Sequence, residues 1–131
     1  PGQAINFIQR PLAINPGNHS LTMAYVDALI QMRSYTTAAE VMERHSLTRS
    51  EDVHLWYKLA ETHGQAGNIG KVHQARAEYF RLLADYPKAR QQLQLALKIE
   101  SESGSSAAEE ARLRQKISTI EQLQQNASRP R

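Results

Sequence analysis

Histidine is the residue type in this chain best suited to ligate a metal or transfer a proton. The five histidines are His19, His45, His54, His63 and His73. A zinc protease would need two of them four residues apart on one helix with a glutamate base between them, the H-E-x-x-H pattern, and no pair has that spacing. We therefore expect no metal ligation and interpret these side chains as surface or packing residues.

Other kinds of catalytic site are equally unsupported. The chain has no cysteine, which excludes disulfides, thiolate zinc sites and a cysteine nucleophile. The serine-rich stretch 101–106 lacks the sharp elbow and positioned base that a serine nucleophile requires. Gly64, Gly67 and Gly70 lack the preceding strand and the Lys-Ser/Thr sequel of a phosphate loop. We expect this chain to carry no catalytic residue and no cofactor.

The composition is that of one globular domain. Hydrophobic residues make up 40% and charged residues 22% of the 131 residues, close to globular averages. No apolar run approaches the roughly 20 residues that span a bilayer. The net charge of +3 is a small imbalance and gives little support for nucleic-acid binding.

Apolar residues recur at helical spacing almost throughout, and no strand is predicted. The predicted helices are 2–13, 19–33, 36–46, 52–66, 69–84, 87–100 and 107–125. Most of them are only three or four turns long and too short to be stable alone, so the pattern predicts serial helical hairpins. We expect one repeat domain over 1–125 and a flexible tail over 126–131.

The ends of two helices carry clear signals. Ser50, Glu51 and Asp52 place a capping oxygen and two carboxylates where a helix N-terminus favours negative charge. Gly67 supplies a left-handed stop. Pro87 fits a first helical turn, where its missing N–H costs little.

A 34-residue helix-turn-helix period runs through the chain and matches the tetratricopeptide pattern. The signature residues are Tyr25, Leu29, Tyr35, Ala38, Trp56, Leu59, Ala60 and Gly67. His63 departs from the pattern because it replaces an aromatic residue. We predict an irregular right-handed solenoid with a C-terminal capping helix, in which Trp56 fills the space between adjacent hairpins.

A longer string of residues resembles one family more closely than the bare repeat does. The segments 59–62, 65–68 and above all His73 to Phe80 are similar to the C-terminal repeat domain of BepA/YfgC-type periplasmic zinc metalloprotease-chaperones. The resemblance implies a periplasmic role in outer-membrane protein assembly and quality control. It also implies partners among barrel-assembly components or their clients, and zinc only in a protease domain that this chain lacks. The parent protein would then be a zinc metalloendopeptidase.

First helices of such repeats line a concave face that binds extended peptides or partner helices. The predicted groove consists of Met23, Asp27, Ile30, Gln31, His54, Tyr57, Glu61 and Gln65. Asp27 and Glu61 would make its centre acidic, which disfavours recognition of a C-terminal carboxylate. The alternative is that Met23 or Tyr57 packs against a neighbouring helix.

Three function classes follow. Protein binding by a repeat module of a protease-chaperone comes first, a free-standing assembly or secretion scaffold second, and RNA binding by a helical repeat third. The opening Pro1-Gly2-Gln3 favours a piece of a longer protein. Because helix 2–13 lacks the first helix that would pair with it, we also expect self-association through this N-terminal edge.

Overall fold

The computed structural model describes residues 17–129, and every regular element in that range is an α-helix. In chain order the helices are α1 His19–Gln31, α2 Tyr35–Ser46, α3 Val53–Ala66, α4 Ile69–Leu82, α5 Tyr86–Ser103 and α6 Ala107–Ser128. Successive helices pack together along α1, α2 and α3 and again along α4, α5 and α6. The predicted all-α class built of helical hairpins is thereby confirmed for the described residues. Helix 2–13, with its proposed self-associating edge, lies outside them.

The predicted helix bounds differ from the observed ones mainly at the C-terminal ends. α1 and α4 each end two residues early, because Arg33 and Ala84 adopt positive φ values of 59° and 58°. Gly104, with φ 75°, ends α5 three residues later than predicted. α6 continues to Ser128, so the first three residues of the predicted tail are helical.

Three of these helix ends share one hydrogen-bond pattern. The N–H after the positive-φ residue donates to the carbonyl five positions earlier: Ser34 to Leu29 at 2.8 Å, Asp85 to Phe80 at 2.9 Å, and Ser105 to Glu100 at 3.1 Å. This is the Schellman arrangement, which satisfies carbonyls that a helix end would leave without a partner. Gly67, φ 82°, ends α3 in the left-handed conformation that the sequence predicted.

Side-chain caps fix the start of several helices. Asn18, Asp52 and Ser106 each accept a hydrogen bond from the backbone N–H three residues ahead, at the starts of α1, α3 and α6. The cap expected around Ser50 therefore belongs to Asp52, and α3 begins at Val53. Pro87 lies in the first turn of α5, as predicted.

The described residues divide into two compact units, with the boundary between Gly67 and Asn68. In the first unit, α2 packs against both α1 and α3. Its apolar core residues are Val26, Ala28, Leu29, Ala38, Ala39, Met42, Leu55, Leu59 and Ala60. Two of the buried residues of α2, Ala38 and Ala39, are small, so neighbouring helices can approach α2 closely.

In the second unit, α5 packs against both α4 and α6. Its main buried cluster is Ala77, Ala89, Leu93, Ala96, Leu113 and Ile120, with Phe80, Tyr86, Leu97, Ile117 and Leu123 partly buried against it. α6 contributes one narrow stripe to this core and is polar on its other faces, as expected of a capping helix.

Trp56 does not have the predicted role. Its side chain is only half-buried, and its indole N–H donates to the Ser50 carbonyl at 2.9 Å. The neighbouring Leu55 is buried instead. The ring therefore covers the loop before α3, because that loop presents a carbonyl that the indole N–H satisfies.

Six of the other signature residues fall into two groups. Leu29, Ala38, Leu59 and Ala60 are buried. The two tyrosines are half-buried: they are Tyr25 in α1 and Tyr35 at the start of α2. The stacking of the hairpins as a right-handed solenoid stays a prediction. In residues 17–129, no helix combines the length and the apolar character needed to cross a membrane.

Candidate partner-binding groove

An open groove of about 670 Å³ lies within the first unit. It is formed by the beginning of α1, the loop between α2 and α3, and the first half of α3. The lining residues are His19, Met23, Thr48, Arg49, Ser50, Glu51, Asp52, His54, Leu55 and Lys58. A cavity of this size can hold several side chains of an extended peptide.

Two of the predicted groove residues line this cavity. Met23 of α1 is half-buried and His54 of α3 is exposed, and the fold brings them to the same groove. The aromatic ring of Tyr57 lies on α3 beside this region and is 54% exposed. Met23 and Tyr57 therefore keep accessible apolar surface, which is what a partner would contact.

The other predicted groove residues do not line the cavity. Ile30, near the end of α1, is half-buried. The remaining polar residues Gln31, Glu61 and Gln65 are exposed. The cavity is thus shifted toward the N-terminal ends of α1 and α3 relative to the predicted face.

The expected acidic centre of the groove is wrong in one respect. Lys58 of α3 forms an ion pair with Asp27 of α1, and both side chains are accessible to solvent. The prediction from the sequence included the carboxylates of Asp27 and Glu61 but not the cation of Lys58. The positive charge of Lys58 therefore neutralises the Asp27 carboxylate, and the ion pair also connects α1 to α3.

An ion pair also neutralises charge on the loop side of the groove. The Arg49 guanidinium lies 3.2 Å from the Asp52 carboxylate, which also accepts the Leu55 N–H at 3.2 Å. Partial burial raises the pKa of Asp52, but these two hydrogen bonds and the positive charge of Arg49 outweigh burial and lower the pKa overall. Asp52 is therefore ionised at neutral pH and serves as helix cap and counter-ion together.

His19 and His45 meet at one end of the groove. Nδ1 of His19 lies 2.9 Å from Nε2 of His45, and the two rings are nearly parallel, at 10°. His45 is buried, with 6% of its surface exposed. Burial lowers the pKa of His45, and the charges of His19 and Arg49 lower it further, against a smaller raising effect of Asp52.

Two other histidines have structural partners. Nε2 of His63 lies 2.8 Å from a Glu43 carboxylate oxygen, and Nδ1 of His73 lies 2.7 Å from the Gln92 amide oxygen. Both contacts join adjacent helices, α2 to α3 and α4 to α5. His63 and His73 are therefore packing residues. Among the described residues, no three His, Cys, Asp or Glu side chains cluster as a metal site would require.

Sequence reasoning missed the contribution of His19, Arg49 and Lys58 to the groove. A signal for the histidine contact was available: His19 and His45 lie at nearly equal distances on either side of the turn at Arg33. An antiparallel helical hairpin brings such positions together. Lys58 carried no comparable signal, because its partner lies two helices away.

Part of the chain is similar to a curated protein. A curated protein of Vibrio cholerae serotype O1, named "Putative beta-barrel assembly-enhancing protease", is 29% identical to this chain over 69 residues. The match covers 53% of the chain and only 14% of the length of that relative. No protein-family model matches the chain. The chain is thus similar, over about half of its length, to a short part of a protein named for barrel assembly.

Proposed function

We propose that this chain is a protein-binding repeat module whose first unit holds an extended segment of a partner polypeptide. The observation that carries the proposal is the open groove with Met23 in its wall and Tyr57 beside it. Apolar and aromatic anchors next to polar groups are the usual composition of a peptide-binding surface. The period of the repeat supports the same function, since stacked helical hairpins commonly bind peptides.

The charges at the groove favour a polypeptide over RNA. The cations Lys58 and Arg49 each have a carboxylate partner, Asp27 and Asp52. RNA binding would need an unbalanced basic stripe with stacking aromatics. A groove with balanced charges instead suits neutral, partly apolar peptide segments, because no charged group of the partner must be buried against a like charge.

We further propose that the module works in outer-membrane protein assembly and quality control in the periplasm, as part of a larger zinc metalloendopeptidase-chaperone. The similarity to the Vibrio cholerae protein and the resemblance of residues 73–80 support this proposal. The partners would be barrel-assembly components or partly assembled barrel segments. Reading the coding sequence upstream of Pro1 for a signal peptide and an H-E-x-x-H helix tests the parent protein directly.

Binding of barrel-derived peptides tests the groove. We expect the double variant Met23→Glu, Tyr57→Glu to lose at least about tenfold in affinity, because two carboxylates replace its apolar anchors. A matched control is Leu83→Glu, Leu95→Glu, which alters two exposed apolar residues of the second unit. Unchanged binding by the first variant would remove the groove from consideration.

A salt titration with single-stranded RNA distinguishes protein binding from RNA binding, the alternative function. Protein binding through Met23 and Tyr57 should depend only weakly on salt. Tight RNA binding that weakens steeply with salt, through release of counterions, would contradict the proposed partner class.

A further inference from the structure

The contact between His19 and His45 has a geometry that depends on protonation. Its Nδ1 to Nε2 distance of 2.9 Å is that of a hydrogen bond. The ring centroids lie 5.2 Å apart, close to that distance plus two ring radii, so the rings meet edge to edge. One imidazole donates an N–H and the other accepts with a bare nitrogen.

We propose that the His19–His45 hydrogen bond is a pH-sensitive latch, which holds the beginning of α1 against the end of α2 at neutral pH and opens when both rings are protonated. The first proton that the pair binds leaves one bare nitrogen, so the hydrogen bond survives. The second proton removes that acceptor and places two positive rings against each other. The latch therefore opens at the second protonation step, which belongs to the pair as a whole.

The surrounding charges act in opposite directions on the second proton. Arg49, in the loop after α2, opposes it, and Asp52 at the start of α3 favours it. Arg44 lies next to His45 on α2, and the two side chains line the same surface cavity. Its positive charge also opposes the second proton. The C-terminal end of α2 favours a cation. Burial of His45 and its cationic neighbours prevail, and the pKa of His45 lies below its ordinary 6.5.

The sign of the stability effect follows from that direction. Because the folded chain holds the His45 proton less tightly than the unfolded chain, the unfolded state binds more protons below about pH 6.5. The contribution of the latch to folding is therefore complete above that pH and is lost as the pH falls. His19 also lines the groove, so the latch deepens the proposed function by regulating the same site.

Unfolding experiments at two pH values test the latch in the whole chain. We expect the free energy of unfolding to fall between about pH 7.5 and pH 5.5, the range in which histidine titrates. In His45→Gln and His19→Gln the fall should be smaller, because glutamine keeps a hydrogen-bonding group and does not titrate. His54→Gln, a change of an exposed histidine on α3, is the matched control and should keep the wild-type fall. Equal falls in all four proteins would overturn the proposal.

A second measurement does not depend on the variants folding. An NMR titration of the imidazole carbons should show His45 changing protonation below pH 6.5. The N–H of Leu21 and that of Thr22, in the first turn of α1, should lose hydrogen-exchange protection in the same range. Titration of His45 at or above pH 6.5, or constant protection of α1, would overturn the latch.

Peptide binding connects the latch to the groove. In the wild type we expect the Kd for a peptide to rise at least about threefold between pH 7.5 and 5.5, a change that needs under about 1 kcal/mol. His45→Gln, which does not line the groove, should abolish this rise. If no peptide binds at either pH, the proposed function fails, and unfolding and NMR still decide the latch. If peptides bind with the same pH dependence in both proteins, the regulation is wrong and the groove stands.

Discussion

Truncation of Leu113 gives the clearest energetic test of how the last helix is held. Leu113 and Ile120 are the two residues of α6 that are buried, and Leu113 has 0% of its surface exposed. Leu113→Ala removes three carbons, worth about 2.4 kcal/mol of transfer free energy at about 0.8 kcal/mol per buried CH₂ group. A residual cavity adds to this cost, so we expect a total loss of about 3 to 4 kcal/mol.

The matched control makes the same substitution on the neighbouring helix. Leu95 of α5 is 39% exposed and would leave no enclosed cavity, so Leu95→Ala should cost about 1.5 kcal/mol or less. Urea unfolding followed by far-UV circular dichroism measures both values, and hydrogen exchange in α6 shows where Leu113→Ala acts. A cost below about 1 kcal/mol for Leu113→Ala, or equal costs for the two variants, would refute the burial of Leu113 between α6 and α5.

Three further substitutions test the turns and the loop before α3. Trp56→Ala should cost about 1 to 2 kcal/mol, because the ring is half-buried and its main polar contact is one hydrogen bond to Ser50. A loss above about 3 kcal/mol in urea unfolding would show that Trp56 fills the space between hairpins after all. Gly67→Ala should cost about 1 kcal/mol at its φ of 82°, whereas Ala84→Gly should gain about 0.5 kcal/mol by relieving the same conformation. Both are measured as shifts of the thermal midpoint, and shifts of equal sign would contradict the argument.

Local signals in the sequence were enough to predict most of the helices. The apolar spacing, Gly67 and Pro87 each act within one or two turns, so their effect can be read without the tertiary structure. The endings at Arg33 and Ala84 could not be read in this way. Neither residue type favours a positive φ, and the Schellman hydrogen bonds that stabilise it form only once the helix has stopped.

Longer-range contacts account for the remaining differences. The repeat pattern placed Trp56 in the core, but its indole N–H donates to the Ser50 carbonyl in the loop before α3. The spacing of residues in the sequence does not predict this hydrogen bond. The groove was predicted from repeat positions alone. Met23 and His54 line the cavity of the first unit, and so do Lys58 and Arg49, whose ion pairs with Asp27 and Asp52 the repeat positions did not indicate. Side chains that define a site by mutual contact need the packed structure to be found.

The alanine-rich contacts between helices limit how this sequence can vary. In the second unit, Ala77, Ala89 and Ala96 have between 0% and 2% of their surface exposed, and they lie where α4 and α6 approach α5. A larger side chain at any of these positions would push two helices apart, and a glycine would weaken the helix that carries it. Natural variants of the unit should therefore keep alanine or serine at these positions while the polar faces of α6 change freely.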